Sequence, residues 1–306
     1  MDDASAPPFS NHTDCQVVKV PYQLFFALGA VAFGENLLVV LAVVRNKNLH
    51  SPMYMFICSL AAFNTISSLS KTWENLMLVL RDVGHLDSRD DHVLKVDDVM
   101  DTLLCMSLIG SICSFLAIAV DRYVTIFHAL RYHNIVTTRR ATAVLAGIWA
   151  ACGGTGAFMV ALFQAAYVKI LFLVLIVASL LLILFLYGHM FLLARSHGRR
   201  IESLPGGAVP RRSLRGAVTL TILLGVFMVC CAPFFLHLIL VTVCLDNAYC
   251  ECYRSLFQLH LVLLMSHAVV DPAIYAFRSA ELRHTFRKML PCSDSRLCYT
   301  VKALFE

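Results

Sequence analysis

The chain has 306 residues, 59% hydrophobic and only 15% charged, with a mean hydropathy of +0.73. A water-soluble domain cannot bury that much apolar surface, so the composition specifies a membrane protein. The formal charge of +5 is segregated along the chain rather than spread, which argues against a nucleic-acid binder.

A helix needs roughly 20 mostly apolar residues to cross the hydrocarbon core. Runs of that kind fall at 22–45, 53–80, 98–124, 140–163, 166–194, 216–243 and 253–277. Lipid forces backbone polar groups to pair internally, and no alternation of about ten residues suggests a barrel, so the spans are read as helices. The expected fold class is an all-α bundle of seven transmembrane helices, with a short amphipathic helix after the seventh. The chain then divides into an extracellular N-terminus (1–21), a seven-span domain (22–277) and a cytoplasmic helix and tail (278–306). That orientation follows from the positive-inside rule: Arg45, Lys47, Arg131, Arg139, Arg140, Arg195, Arg199, Arg200 and the tail are basic. The opposite side holds Asp2, Asp3, Asp14, Asp82, Asp87, Asp90, Asp91, Asp97, Asp98, Asp246 and Glu251.

The first 20 residues are polar and contain proline, unlike a cleavable signal peptide. Asn11-His12-Thr13 is a glycosylation sequon on the expected outer side. Span two carries Glu74 in its outer part. Span three starts with Asp97 and Asp101, four apart and therefore on one helix face. Three acids converging beside lipid repel one another unless a cation sits among them. Oxygen-only ligands favour a hard ion such as calcium over zinc. The competing reading is that the acids complement a helix N-terminus. It accounts for Asp97 and Asp98 but not for Asp101, a turn deeper, nor for Glu74.

Span three ends on Asp121-Arg122-Tyr123. As a snorkelling residue paired for comfort, Arg122 needs no function. The seventh span, however, ends on Asp271-Pro272-Ala273-Ile274-Tyr275, and ionisable groups beside hydrocarbon mark switches or pathways. An ion pair that opens, releasing Arg122 toward Tyr187 of span five and Tyr275, is such a switch. The loop between spans four and five, near 164–168, is almost absent, and the one near 195–215 reads as a mobile linker around Leu204-Pro205-Gly206-Gly207.

Intramembrane His189, His237, His260 and His267 raise a rival class, a seven-helix metal-dependent hydrolase. Zinc hydrolysis needs three ligands converging at one depth. These histidines lie at different depths, and no His-x-x-x-His pair exists. A transporter is a third class, but no repeated half with broken helices is present.

Of the 12 cysteines, Cys58, Cys105, Cys113, Cys152, Cys230 and Cys231 sit in spans. Cys15, Cys244, Cys250 and Cys252 lie on the outer side, where disulfides persist; four cysteines allow three pairings, though Cys250 and Cys252 are too close to pair comfortably. Cys292 follows the basic amphipathic stretch 279–290 and is a candidate for palmitoylation.

The runs Asn48 to Tyr54, Asp121 to Leu130, Ala232 to His237 and Asp271 to Tyr275 together resemble the melanocortin receptors among rhodopsin-like G-protein-coupled receptors. The resemblance covers nearly the whole chain. Finer runs, Phe127 to His133, Leu193 to His197 and Tyr253 to Gln258, are similar to the corticotropin (ACTH) branch, and Lys71 near Glu74 agrees. The resemblance implies a peptide-hormone receptor, not an enzyme, that activates the stimulatory G protein and raises cyclic AMP. It implies that Glu74, Asp97 and Asp101 hold calcium and face the arginine of the hormone's His-Phe-Arg-Trp core. Cys105 and Leu108 would form the pocket floor, with Phe234 and His237 as its helix-six wall. Asp87, Asp90, Asp91 and Asp98 would meet a basic stretch of the hormone. Leu130 is the knob expected to dock into the G protein beside Arg122. Disulfides Cys244–Cys250 and Cys15–Cys252, and a single-pass accessory protein as partner, are implied in the same way.

Three positions depart from the family pattern. Cys231 stands where the family has a tryptophan before Ala232-Pro233. Asn64 replaces an aspartate of span two, leaving Asp271 as the one acid near Ser111. His267 stands where asparagine is usual.

Overall fold

A computed structural model of the chain describes residues 18–84, 91–128, 131–162, 166–202, 211–244, 250, 252–253 and 255–289. The helices are α1 Tyr22–Arg45, α2 Pro52–Asp82, α3 Asp91–Phe127, α4 Tyr132–Ile135, α5 Thr138–Leu162, α6 Ala166–Glu202, α7 Arg211–Val243, α8 Phe257–Arg278 and α9 Ala280–Met289. A 3-10 turn, Lys47–Leu49, joins α1 to α2. The seven long helices are the seven expected spans, and they form the all-α bundle. Among the described residues, five of them (α1, α2, α3, α5 and α8) hold stretches long and apolar enough to cross a membrane; α6 and α7 hold shorter apolar stretches, 173–189 and 225–240.

Boundaries differ from expectation most at α3 and α6, while α7 starts at Arg211 and α8 at Phe257, a few residues from the expected 216 and 253. α3 begins at Asp91, ahead of the apolar run that starts at 98. α6 runs to Glu202, through arginines expected to lie in a mobile linker. Arginine is a good helix former, and no proline interrupts the helix before Pro205, which lies outside the described residues.

α1 packs on α2, α2 on α3, α3 on α5, α1 on α8 and α7 on α8. Polar tethers fix these pairings where lipid offers no hydrophobic drive between helices. Asn36, fully buried, donates from Nδ2 to the Ala268 carbonyl at 2.7 Å, tying α1 to α8. Phe63 of α2 stacks on Trp149 of α5 with ring centroids 4.2 Å apart. Gly110 of α3 allows this, because any side chain there would meet the Phe63 ring. The Trp149 indole donates to Ser59 Oγ at 3.1 Å, and Ser59 pairs with Ser114 of α3 at 3.3 Å.

α9 is the amphipathic helix expected after the last span. Ser279 caps it, its hydroxyl oxygen accepting from the Leu282 N–H at 3.0 Å. Glu281 in the first turn and Arg287 and Lys288 in the last suit the helix dipole. Leu282 and Phe286 are buried against the bundle. Tyr54 pairs with Ser279 at 2.8 Å, and Asn46 Nδ2 donates to Thr285 Oγ1 at 2.8 Å, so polar side chains of α2 and of the α1 C-cap seat the helix. Cys292 lies outside the described residues.

Candidate functional site

Three groups of predicted residues fall at three levels of the bundle: an acidic end, a buried centre and a basic end.

At the acidic end, α2 and α3 present Glu74, Asp97 and Asp101. Asp101 lies within electrostatic reach of Glu74, Asp97 and Asp98, so the structure gathers these acids. Two of the three already have cations from the chain. Lys71 Nζ is 3.4 Å from Glu74 Oε2, and Arg81 is ion-paired with Asp97. Asp101 is exposed and forms no ion pair among the described residues.

Calcium takes six to eight oxygen ligands. Among the described residues no group of three or more histidines, cysteines, aspartates and glutamates is arranged to hold a metal ion. With Glu74 and Asp97 each turned to a side-chain cation, the arrangement does not fit calcium, contrary to the expectation from resemblance. The expectation balanced the acids against one another and left Arg81 out. Arg81 and Asp97 are sixteen residues apart, and only the packing of α2 on α3 joins them.

The wall beside the acids is aromatic. Phe234 and His237, both buried, lie on α7 one turn apart. The Phe257 ring of α8 is 4.9 Å from that of His237 and 6.4 Å from that of Phe234. His260 lies 5.6 Å from His237, so these two intramembrane histidines belong to an aromatic cluster. Cys105, one turn below Asp101, is half-buried and within electrostatic reach of Asp101 and Lys71; Leu108 is buried below it. Ligand-pocket residues expected from resemblance thus share one end of the bundle. Cys244 and Cys250 form a disulfide at this end. Cys252 is disulfide-bonded as well, while Cys15 and Asn11 lie outside the described residues.

In the buried centre, Asn64 donates from Nδ2 to Asp271 Oδ2 at 3.1 Å and accepts from the Ser111 hydroxyl at 3.2 Å. The chain Ser111–Asn64–Asp271 links α3, α2 and α8, with at most 3% exposure at any member. Asp271 Oδ1 has no hydrogen-bond partner among the described residues. Beside this chain two of the departing residues meet. Cys231 Sγ lies 3.8 Å from His267 Nδ1, and the His267 ring stands edge-on to Phe227 at 5.5 Å. His267 Nδ1 also bonds the Leu264 carbonyl, which can only accept, so Nδ1 carries the proton. The imidazole thus occupies space beside the small thiol.

At the basic end, Arg122 Nε is 3.8 Å from Asp121 Oδ2, a loose contact. Asp121 is held more firmly by Tyr132 of α4, whose hydroxyl donates to Oδ1 at 2.9 Å. Burial pushes the Tyr132 phenol up to about 12, with the Asp121 charge and bond adding to the shift. The Tyr187 and Tyr275 hydroxyls are buried without hydrogen-bond partners among the described residues, and Arg122 is within electrostatic reach of Tyr187. Tyr123 stacks on His189 at 6.0 Å. Leu130 lies outside the described residues. Sequence reading did not find Tyr132, because nothing in a tyrosine eleven residues past an aspartate announces contact.

A profile of the family described as 7 transmembrane receptor (rhodopsin family) matches residues 35–166 and 152–275. Melanocortin receptor 5 of Homo sapiens is 47% identical over 296 residues, covering 96% of this chain and 91% of that receptor. Melanocortin receptor 5 of Pan troglodytes is 48% identical with the same coverage. Melanocortin receptor 3 of Rattus norvegicus is 48% identical over 293 residues, 94% of this chain and 91% of its own.

The chain belongs to the melanocortin receptor family. The hydrolase and transporter alternatives fall with that membership. These relatives are receptors 5 and 3, so the comparisons support the melanocortin family and not the corticotropin branch that the finer runs suggested. In this melanocortin receptor, Lys71, Arg81 and Tyr132 are the site neighbours for which the sequence reading assigned no role. Each is an ordinary residue made specific by which helix packs beside it.

Proposed function

We propose that the chain is a plasma-membrane receptor for a melanocortin-type peptide, with its acidic end outside and its basic end in the cytosol. The observation that carries this reading is the pairing of an acid group (Glu74, Asp97, Asp101) with an aromatic wall (Phe234, His237, Phe257) at one end of the bundle. Carboxylates suit a ligand's guanidinium, and aromatic side chains suit its neighbouring rings. At the other end, Arg122 lies within electrostatic reach of Tyr187, whose buried hydroxyl, like that of Tyr275, has no hydrogen-bond partner among the described residues, so a shift of α6 changes what Arg122 meets. A ligand moves such an equilibrium only by binding one state better than the other. The output we assign is the stimulatory G protein and cyclic AMP, with Leu130 as its docking contact.

The test is a cyclic AMP assay in cells lacking melanocortin receptors. A short melanocortin should raise cyclic AMP in a concentration-dependent way, and Asp101→Asn should right-shift the curve. Failure of every melanocortin peptide to raise it, at normal surface density, overturns the reading. Full-length corticotropin, with and without a single-pass accessory protein, distinguishes the branches. A response confined to corticotropin plus accessory protein would restore the corticotropin branch. Calcium dependence is read in the same assay by chelation. We also assign a Cys15–Cys252 bridge, glycosylation at Asn11 and palmitoylation at Cys292, which peptide mapping of the non-reduced protein checks together.

A further inference from the structure

Lys71 is only 3% exposed, yet it carries a charge within a membrane-spanning helix. An ammonium has three donors. Among the described residues, this one makes a single hydrogen bond, a long one of 3.4 Å to Glu74. Its other neighbour is the face of Phe234, with Nζ 5.3 Å from the ring centroid, a cation–π contact that reaches from α2 to α7. The cation therefore lies between a carboxylate and an aromatic wall, the same two surfaces that would receive a ligand's guanidinium.

Charge counting sharpens this. Three acids (Glu74, Asp97, Asp101) face two resident cations (Lys71, Arg81), which leaves one net negative charge, at Asp101. Asp98, also exposed, acts on Asp101 least of the neighbouring charges. One uncompensated charge suits a monocation better than a divalent ion. The poor fit of this end to calcium has the same origin.

We propose that Lys71 is a specificity-determining residue: a resident cation that occupies the place between Glu74 and Phe234, so that the pocket accepts a single positive charge without calcium. The inference rests on the peptide-receptor reading above. A bound guanidinium competes with Lys71 for Glu74 and Phe234, and the remaining carboxylate, Asp101, becomes its main counter-charge.

The experiment compares binding of an arginine-containing melanocortin peptide and its citrulline analogue, with calcium and with chelator, at matched surface density. Wild type should discriminate arginine from citrulline equally in calcium and in chelator. Lys71→Met should bind the arginine peptide about fivefold or more tightly, the lower end of couplings between interacting groups. It should also gain a dependence on calcium, because two carboxylates are then uncompensated. Lys71→Arg should behave as wild type. Should Lys71→Met fail to reach the surface, Lys71→Gln, which can still donate to Glu74, gives the same readouts. Unchanged or weaker arginine binding in the neutral variant, or calcium sensitivity already present in wild type, overturns the proposal. Wild type that binds neither peptide overturns the receptor reading instead.

Discussion

The acidic end and the buried centre solve the same electrostatic problem in opposite ways. At the acidic end, two of the acids are neutralised by full cations, Lys71 on Glu74 and Arg81 on Asp97, and the side chains of the Arg81–Asp97 pair are 32% and 27% exposed. In the centre no ion pair forms among the described residues. Asp271 is fully buried and held by one amide, which is in turn held by one hydroxyl. Charges near solvent can exchange partners at small cost, since water stands in for whichever partner leaves. A fully buried acid has no such substitute, and a lost hydrogen bond there leaves a polar group unsatisfied. The end that can exchange partners is therefore suited to a ligand, and the centre that cannot is suited to fixing helix positions.

The largest effect should come from breaking the centre. Asp271→Ala strips Asn64 of its acceptor and should destabilise the bundle by about 1–3 kcal/mol, seen as loss of most surface receptor and of signalling. Exchanging the two groups, Asn64→Asp with Asp271→Asn, keeps one acid, one amide and the acceptor for Ser111. It should recover most of the surface density. A swap as damaged as Asp271→Ala would mean that charge location, rather than pairing, holds the centre.

Next is the contact between Cys231 and His267. An indole placed at Cys231 would meet the imbedded His267 and Phe227 rings, and overpacking a well-filled core costs about 1–3 kcal/mol. Cys231→Trp alone should therefore lower the maximal cyclic AMP response and the melting temperature. Joined to His267→Asn, which clears the imidazole, it should restore both. Two independent, additive losses in this double-mutant cycle would show that the residues do not share one space.

A smaller effect is expected at the basic end. Tyr132→Phe removes the hydroxyl that holds Asp121, a net loss of about 1 kcal/mol, and should raise ligand-independent cyclic AMP a few-fold by loosening the Asp121–Arg122 end. The Tyr132 phenol is raised from 10.0 to about 12 in the folded chain. Its contribution to stability is then complete below pH 10 and lost as pH rises toward 12. The wild-type advantage in melting temperature over Tyr132→Phe should be flat up to the lower value and vanish by the higher one. A gap that persists unchanged would remove the hydroxyl from the account.

The smallest effect belongs to the exchangeable pair. Asp97→Asn should shift stability by no more than about 1 kcal/mol, and added salt should shrink the difference further. A loss as large as that of Asp271→Ala would erase the distinction between the two regions.

Sequence alone determined the seven spans, the amphipathic α9 and the polarity of the two ends, because membrane thickness and composition leave one way to satisfy the backbone. It also pointed to Glu74, Asp97, Asp101, Asp121, Arg122, Asn64, Ser111 and Asp271, since ionisable and polar groups inside apolar runs are conspicuous one at a time. Partners were another matter. That Arg81 takes Asp97, that Tyr132 takes Asp121, that Lys71 reaches Phe234 and that His267 leans on Cys231 depend on which faces of which helices touch. Helical periodicity places a residue on a face but does not say which helix that face meets. Charge balance at the acidic end was therefore decided only by the tertiary packing of α2, α3, α7 and α8.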